Sequence, residues 1–370
     1  MRVQSIEVYA VQVPIKRVSV FTRARRTHAS RTIVVLRTKD GLTGFGETRG
    51  IDAARIIRDR FAPLILDQPD DNIEHIRDRC IPRIVDFGYP EQLVDRGAFA
   101  AIDMALWDIH GKRAGLPLFK LLGGAVRPRA EFVAYEYTVD PGDQHRERDI
   151  PALMADKAAA AIEETGSRYF EFKIGVHSVD CDIATTAAIR TRLGDGVRIG
   201  VDANMAFDYE DARRFLSGTA ALDLWNIEEP VAPLAEMDRL ARDFRVPVSS
   251  HCVDLDALRS YPGITGVVGD PHGAGGMLPM RDFIERTAAM NRQFWFRSVW
   301  ELGVSWAAMC HMATAFSGLQ RPSQSLFNLI EDDLVEETSW SLKDGAVVVS
   351  DAPGLGVTLD RRSLEIYKLS

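Results

Sequence analysis

Five short runs decide how this chain folds. They are Phe170-Glu171-Phe172-Lys173-Ile174-Gly175, Val201-Asp202-Ala203-Asn204, Ile227-Glu228-Glu229-Pro230, Val246-Pro247-Val248-Ser249-Ser250-His251 and Val267-Val268-Gly269-Asp270-Pro271-His272. Each begins apolar and closes on one or two polar or ionisable residues. Successive runs lie roughly 20–30 residues apart, and helix-forming sequence such as 182–193 and 209–216 fills most of the intervals. Repeated strand–helix units of this kind build a parallel barrel, with functional groups at the C-terminal ends of the strands. One rim then collects Lys173, Asp202, Glu228, His251 and Asp270.

With 370 residues there is room for a full barrel and a smaller partner domain. A hydrophobic fraction of 46% supplies a large core, and a net charge of −8 argues against nucleic-acid binding through bulk charge. No apolar run reaches spanning length, and the first residues alternate like a strand with no apolar signal segment. The expectation is a cytoplasmic protein with no membrane or nucleic-acid partner. Cys80, Cys181, Cys252 and Cys310 are scattered without a paired spacing, as suits reduced thiols.

Ahead of the barrel, residues 3–14, 32–38 and 43–48 read as three strands of a small antiparallel sheet. A polar, basic loop at 21–30 separates the first two and carries Arg23, Arg25 and Arg26. Such a loop is either a solvated surface or a flap whose guanidinium groups grip an anionic substrate. Residues 95–114 are apolar around most of a helical circumference, which makes Asp103, Asp108 and His110 structural. The predicted organisation is an α+β capping domain over 1–126, a (β/α)8 TIM-type barrel over 127–340, and a tail at 341–370 that packs back on the cap. Barrel strands are expected at 132–139, 169–174, 197–203, 223–228, 246–251, 266–270 and 293–298, with the eighth near 323–329.

Asp202, Glu228 and His251 close three successive strands, so barrel geometry sets them side by side. Two carboxylates and a neutral imidazole leave open positions on Mg²⁺ or Mn²⁺, and the histidine pulls the preference toward Mn²⁺. Acidic residues at strand ends also cap helices and form salt bridges; the metal reading rests on all three falling in step. Asp254 is the fallback third ligand, while Cys252 alternates to the other face. Lys173 ends the preceding strand. It is either a base, with its pKa pulled below ~10.4, or an ion-pair partner of a rim acid. Asp270 and His272 offer an acid–base pair, and Gly273-Ala274-Gly275-Gly276 is a tight loop or an anion cradle. Arg297, near Glu301, can bind a carboxylate but cannot exchange a proton.

Nearly the whole chain resembles the enolase superfamily, and within it the mandelate racemase-like and glucarate dehydratase-like members. The resemblance is carried by Gly44-Phe45-Gly46-Glu47, Ala101-Ile102-Asp103-Met104-Ala105-Leu106-Trp107-Asp108, Leu121-Leu122-Gly123-Gly124, the barrel runs above and Pro353-Gly354-Leu355-Gly356-Val357. It implies a capping domain over a modified barrel, and Mg²⁺ on Asp202, Glu228 and the residue at 251. It implies Lys173 as base, Asn204 at the substrate or metal, and Asp270 orienting a strand-seven histidine. The reaction implied is dehydration of an acid sugar, a small carboxylate, to a 2-keto-3-deoxy acid by a homo-oligomer. A racemase or epimerase of the same superfamily and a catalytically silent metal- and anion-binding relative are the alternatives.

Three positions depart from the family pattern. Glu171 stands where the pattern has a second lysine, and is expected to hold Lys173 protonated. Arg297 occupies the place of the strand-seven histidine. His251 stands where Asp, Glu or Asn is usual. A base on one face only fits dehydration better than racemisation. Arg23, Arg25, Arg26 and Arg297 favour a substrate with more than one negative charge, with Glu171 and Glu301 as further contacts.

Overall fold

Two glycines bring the first sheet onto its helix. The computed structural model describes residues 1–22, 24–81, 91–336, 340 and 342–369. Strands β1 (Val3–Phe21), β2 (Ala24–Thr38) and β3 (Thr43–Arg49) form an antiparallel sheet in the order β1-β2-β3. A β carbon on Gly46 would lie 1.8 Å from the Ala101 carbonyl oxygen, and one on Gly44 2.1 Å from that of Ala105. Only glycine lets the helix Glu91–Ala114 approach so closely. Asp103 and Asp108 of that helix are structural, as expected. Asp108 accepts from the amides of Phe45 (3.0 Å) and Leu355 (2.8 Å), and Asp103 from that of Met277 (2.8 Å).

The described residues among 21–30 do not form the expected loop. They continue the hairpin, with Ser19 opposite Arg26, Val20 opposite Arg25 and Phe21 opposite Ala24. Their charged composition hides a strand whose backbone groups are paired across the ladder. The tip docks on the barrel, where the Thr22 hydroxyl donates to the Asn204 carbonyl at 3.3 Å.

The short β4 (Ala130–Glu131) leads into the barrel. β5 (Ala134–Glu136), β6 (Tyr169–Lys173), β7 (Arg198–Asp202), β8 (Asn226–Glu228), β9 (Val248–Ser250), β10 (Ile264–Gly269) and β11 (Gln293–Phe296) then follow one another in a seven-stranded parallel sheet. Helices such as Ile150–Thr165, Val179–Leu193 and Met277–Ala289 lie between them in sequence. Lys173 is in register with Asp202, Asp202 with Glu228, and Glu228 with Ser249. Side chains alternate faces along a strand, so Glu171 points the same way as Lys173 one layer down. By the same alternation His251 follows Ser249 onto the ligand face.

An eighth strand at 323–329 is not formed, and Phe327–Leu329 is a single 3₁₀ turn. Residues 319–324 close the barrel instead. Gln320 and Gln324 donate to the carbonyls of Phe294 (3.2 Å) and Phe296 (2.8 Å) on one side. Ser323 donates to Glu131 (3.0 Å) and accepts from Val133 (2.9 Å) on the other. Pro322, which has no N–H to give, keeps this segment from pairing as a regular strand.

In the tail, β12 (Ala346–Val347) pairs with β4. The helix Arg361–Tyr367 then returns to β1, where the Leu369 amide donates to Ala10 at 2.8 Å. All four cysteines are free, and among the described residues no helix is long and apolar enough to cross a membrane.

Candidate active site

Cap and barrel enclose a cavity of about 550 Å³. The hairpin contributes Phe21 and Arg26, and the strand ends contribute Lys173, Asp202, Asn204, Glu228, His251 and Arg297. Ligand atoms of Asp202, Glu228 and His251 all lie within 4.8 Å of one another. Lys173 is ion-paired to Asp202 Oδ2. Asn204 and Met205 take left-handed backbone angles, φ 46° and 59°. That turn brings the Asn204 amide back to Asp202 Oδ1 at 2.9 Å and its side chain to Oδ2 at 3.3 Å. His251 Nε2 lies 2.6 Å from Glu228 Oε1. Gln324 Nε2 donates to Glu228 Oε2 at 2.8 Å and to Glu171 Oε1 at 2.6 Å.

Three carboxyls buried at one barrel end cannot all ionise freely. Burial, then Glu228 and Asp202, push Glu171 well above the ordinary carboxylate range. Burial and Asp202 also raise Glu228. Burial would raise Asp202 too, but Lys173 and His251 outweigh it and hold it low. For His251 burial favours the neutral ring, yet Glu228 beside it wins and raises the pKa. Glu171 is bonded to Gln324 one layer below Lys173, whose ion-pair partner is Asp202.

Several expected site residues lie elsewhere. Arg25 is held by Asp140 at 2.9 Å, away from the cavity wall, while Arg26 lines it. Arg23 lies outside the described residues. Glu171 is fully buried beneath the wall. Glu301 is buried under the loop after β11, accepting from the Ser298 hydroxyl (2.5 Å) and the Val299 amide (2.7 Å). Asp270 accepts from Arg297 Nε at 2.7 Å and from the Gly273 amide at 2.8 Å. Burial opposes ionisation there, but Arg297 and His272 hold the carboxyl well below its ordinary range, so Asp270 carries a fixed charge.

His272 turns away from the cavity, with Nε2 3.0 Å from Arg31 Nη2, and burial and Arg31 push it down to about 3. The acid–base pair of Asp270 and His272 is therefore not assembled. Asp254 caps the helix Leu255–Arg259, accepting from Asp256 (3.1 Å) and Ala257 (3.0 Å), and Cys252 Sγ points at the Asp254 carbonyl, 3.5 Å away. Neither joins the ligand set. Sequence reasoning missed Gln324 and the Tyr137–Trp300 stack, whose ring centroids are 5.5 Å apart in the cavity wall. No local pattern marks either.

A curled parallel barrel under an α+β cap, with two carboxylates and an imidazole in step beside a lysine, is the architecture of the enolase superfamily. Residues 5–123 match the mandelate racemase / muconate lactonizing enzyme N-terminal domain, and residues 153–363 match the enolase C-terminal domain-like family. The chain belongs to the mandelate racemase / muconate lactonizing enzyme family, whose metal-dependent enzymes abstract the proton α to a carboxylate.

It is 28% identical over 344 residues to arabinonate dehydratase of Saccharolobus solfataricus, covering 90% of this chain and 89% of that one. It is 26% identical over 378 residues to chloromuconate cycloisomerase of Cupriavidus pinatubonensis, covering 96% of each. The solved structure of an enolase from Thermobispora bispora complexed with magnesium and formate superposes with a TM-score of 0.87 at 26% identity, over 99% of this chain and 92% of that one. Lyases and isomerases thus stand at similar distance.

The residues present fit a divalent cation. Glu171 Oε2 and Asn204 Oδ1 are buried acceptors without a hydrogen-bond partner, close to the crowded carboxylates of Asp202 and Glu228. Two carboxylates and one imidazole suit Mg²⁺ or Mn²⁺.

Proposed function

We propose that this chain is a hydro-lyase that takes the proton α to the carboxylate of an acid sugar and expels the β-hydroxyl, giving a 2-keto-3-deoxy acid. One observation supports this most. Lys173 and Arg297 line the same cavity from β6 and from just past β11, with the ligand set on the strands between, and a guanidinium cannot take the second proton. Asp202, Glu228 and His251 would hold Mg²⁺ or Mn²⁺, which when bound stabilises the charge that builds as the α-proton leaves.

Lys173, confined by the rings of Phe21 (5.5 Å) and Tyr135 (5.8 Å), takes that proton. The same ammonium hands it to the departing hydroxyl, water leaves, and the enol ketonises. Arg297, oriented by Asp270, offers its remaining N–H groups to the substrate carboxylate. Asn204 orients Asp202 and meets the substrate. Phe21, Tyr137 and Trp300 keep water out. Residues 1–126 would form the cap, 127–340 the barrel and 341–370 the tail that completes the cap, in a cytoplasmic homo-oligomer. An isomerase is the second reading, favoured by the equally extensive likeness to a cycloisomerase.

The test is a metal-supplemented assay of mono- and diacid sugars for 2-keto acid, run beside Lys173→Ala. The expected result is a product that disappears in the variant while metal binding persists. Exchange of the α-proton in D₂O without keto acid would move the protein to the isomerases. Silence on every acid with metal bound would overturn the reading.

A further inference from the structure

Behind Arg297 lies a second chamber of about 750 Å³. It shares Arg49, Gly97, His251 and Arg297 with the catalytic cavity, so the two adjoin beside the ligand set. Its charge is one-sided. Five arginines line it, Arg49, Arg77, Arg96, Arg286 and Arg297, against the acids Glu74, Asp270 and Asp282. Each carboxylate is already matched, Glu74 by Arg77 (3.3 Å), Asp282 by Arg286 (3.8 Å) and Asp270 by Arg297 (2.7 Å). Arg49 and Arg96 are left with no ion-pair partner among the described residues.

In a chain of net charge −8, two uncompensated guanidiniums in one concavity are a local reversal of sign. Arg96 is also seated rather than loose. A β carbon on Gly275 would lie 3.1 Å from Arg96 Cβ, and Gly275 has φ +83°, so the loop after β10 makes room for the arginine stem. Val268, Leu278 and Phe283 make part of the wall apolar, and a drier wall strengthens a guanidinium–anion contact.

We infer that this chamber receives a second anionic group, a carboxylate or a phosphate, at the far end of the substrate. The inference rests on the acid-sugar reading of the catalytic cavity and narrows it to a two-ended acid. The reacting carboxylate sits with Lys173, Arg297 and the ligand set. The distal anion passes Gly97 and meets the forks of Arg49 and Arg96.

Isothermal titration of the Mg²⁺-supplemented protein tests this without turnover. The probes are gluconate (one anionic end), glucarate (two carboxylates) and 6-phosphogluconate (carboxylate and phosphate). At least one two-ended acid is expected to bind roughly tenfold or more tighter than gluconate. The tighter of the two identifies the distal group. Arg96→Gln should shrink the preference several-fold with the gluconate affinity retained, and Arg49→Gln/Arg96→Gln should abolish it. Gly97→Leu is the uncharged control. An added β carbon there meets only the His272 carbonyl, at 3.8 Å, so the larger side chain narrows the passage and should also erase the preference.

Equal wild-type affinity for all three acids overturns the second site and leaves the acid-sugar reading standing. A preference that survives in the double variant overturns it as well. No binding of any acid by the metal-loaded protein sinks both readings together.

Discussion

Arg31 and Glu47 are fully buried between cap and barrel, 2.5 Å apart. Arg31 also donates to the Val299 carbonyl at 2.9 Å and lies 3.0 Å from His272 Nε2 and 3.3 Å from the Ser305 hydroxyl. Glu47 also accepts from the amides of Leu302 (2.9 Å) and Ser305 (2.8 Å). Arg31→Met keeps much of the stem but leaves Glu47 two amide donors, in a site whose burial already pushes its carboxyl up to about 7 against the pull of Arg31. Removing one partner of a buried pair costs about 3–5 kcal/mol. At ~2.1 cal/mol/K of unfolding entropy per residue, that lowers Tm by about 4–6 °C, with cap and barrel melting together.

Arg31→Met/Glu47→Leu, which replaces both charges by apolar groups, should recover more than half of the loss. The assay is thermal melting followed by circular dichroism, with substrate KM measured in parallel. Freeing the Val299 carbonyl loosens Ser298, Val299 and Trp300 in the cavity wall, so KM should rise as well. An Arg31→Met protein melting within about 1 °C of wild type, or a double variant weaker than either single one, would refute the reasoning.

The remaining predictions concern the ligand set. Glu228 holds the His251 pKa above its ordinary 6.5, against burial, so the protonated pair stabilises the metal-free protein below 6.5 and loses that contribution as pH climbs through the raised value. A cation needs the ring neutral, so Mn²⁺ affinity by calorimetry should rise about tenfold per pH unit across that window. A flat profile between pH 6 and 8 would remove His251 from the ligand set, and His251→Asn should flatten it and shift preference toward Mg²⁺. Gln324→Leu takes the shared donor from Glu171 and Glu228, at about 1–3 kcal/mol for each buried oxygen left bare. Lower Tm and weaker metal binding should appear together, and unchanged values for both would show that the bridge is idle.

The barrel rim is legible in the sequence because each strand ends where apolar residues give way to a polar one, and parallel register turns that spacing into neighbours. Lys173, Asp202 and Glu228 come together for this reason alone. The eighth strand is harder to see, since Pro322 replaces ladder bonds with a few irregular ones. The hairpin beyond Phe21 is masked by its charge, because its stability comes from cross-strand pairing and docking at Asn204. Side-chain partners are the least legible. Asp270 reads as an acid until Arg297 is seen against it, and His272 as its companion until Arg31 claims it. Gln324 binds Glu171 and Glu228 from far along the chain, a contact that no local period encodes.

The Leu369 amide bonded to Ala10, with Lys368 bridged to Val11, covers the outer edge of β1. During synthesis β1 emerges well before its cover at Lys368 and Leu369, which follows roughly 360 residues later. At roughly 5–20 residues per second that interval is about 20–70 s. Through it the nascent strand presents unpaired amides and carbonyls, a ready template for a neighbouring chain. The barrel can assemble meanwhile, but the cap stays open on that side until translation has passed the helix Arg361–Tyr367. Soluble yield in the cell is therefore expected to respond to whatever shields β1 during elongation.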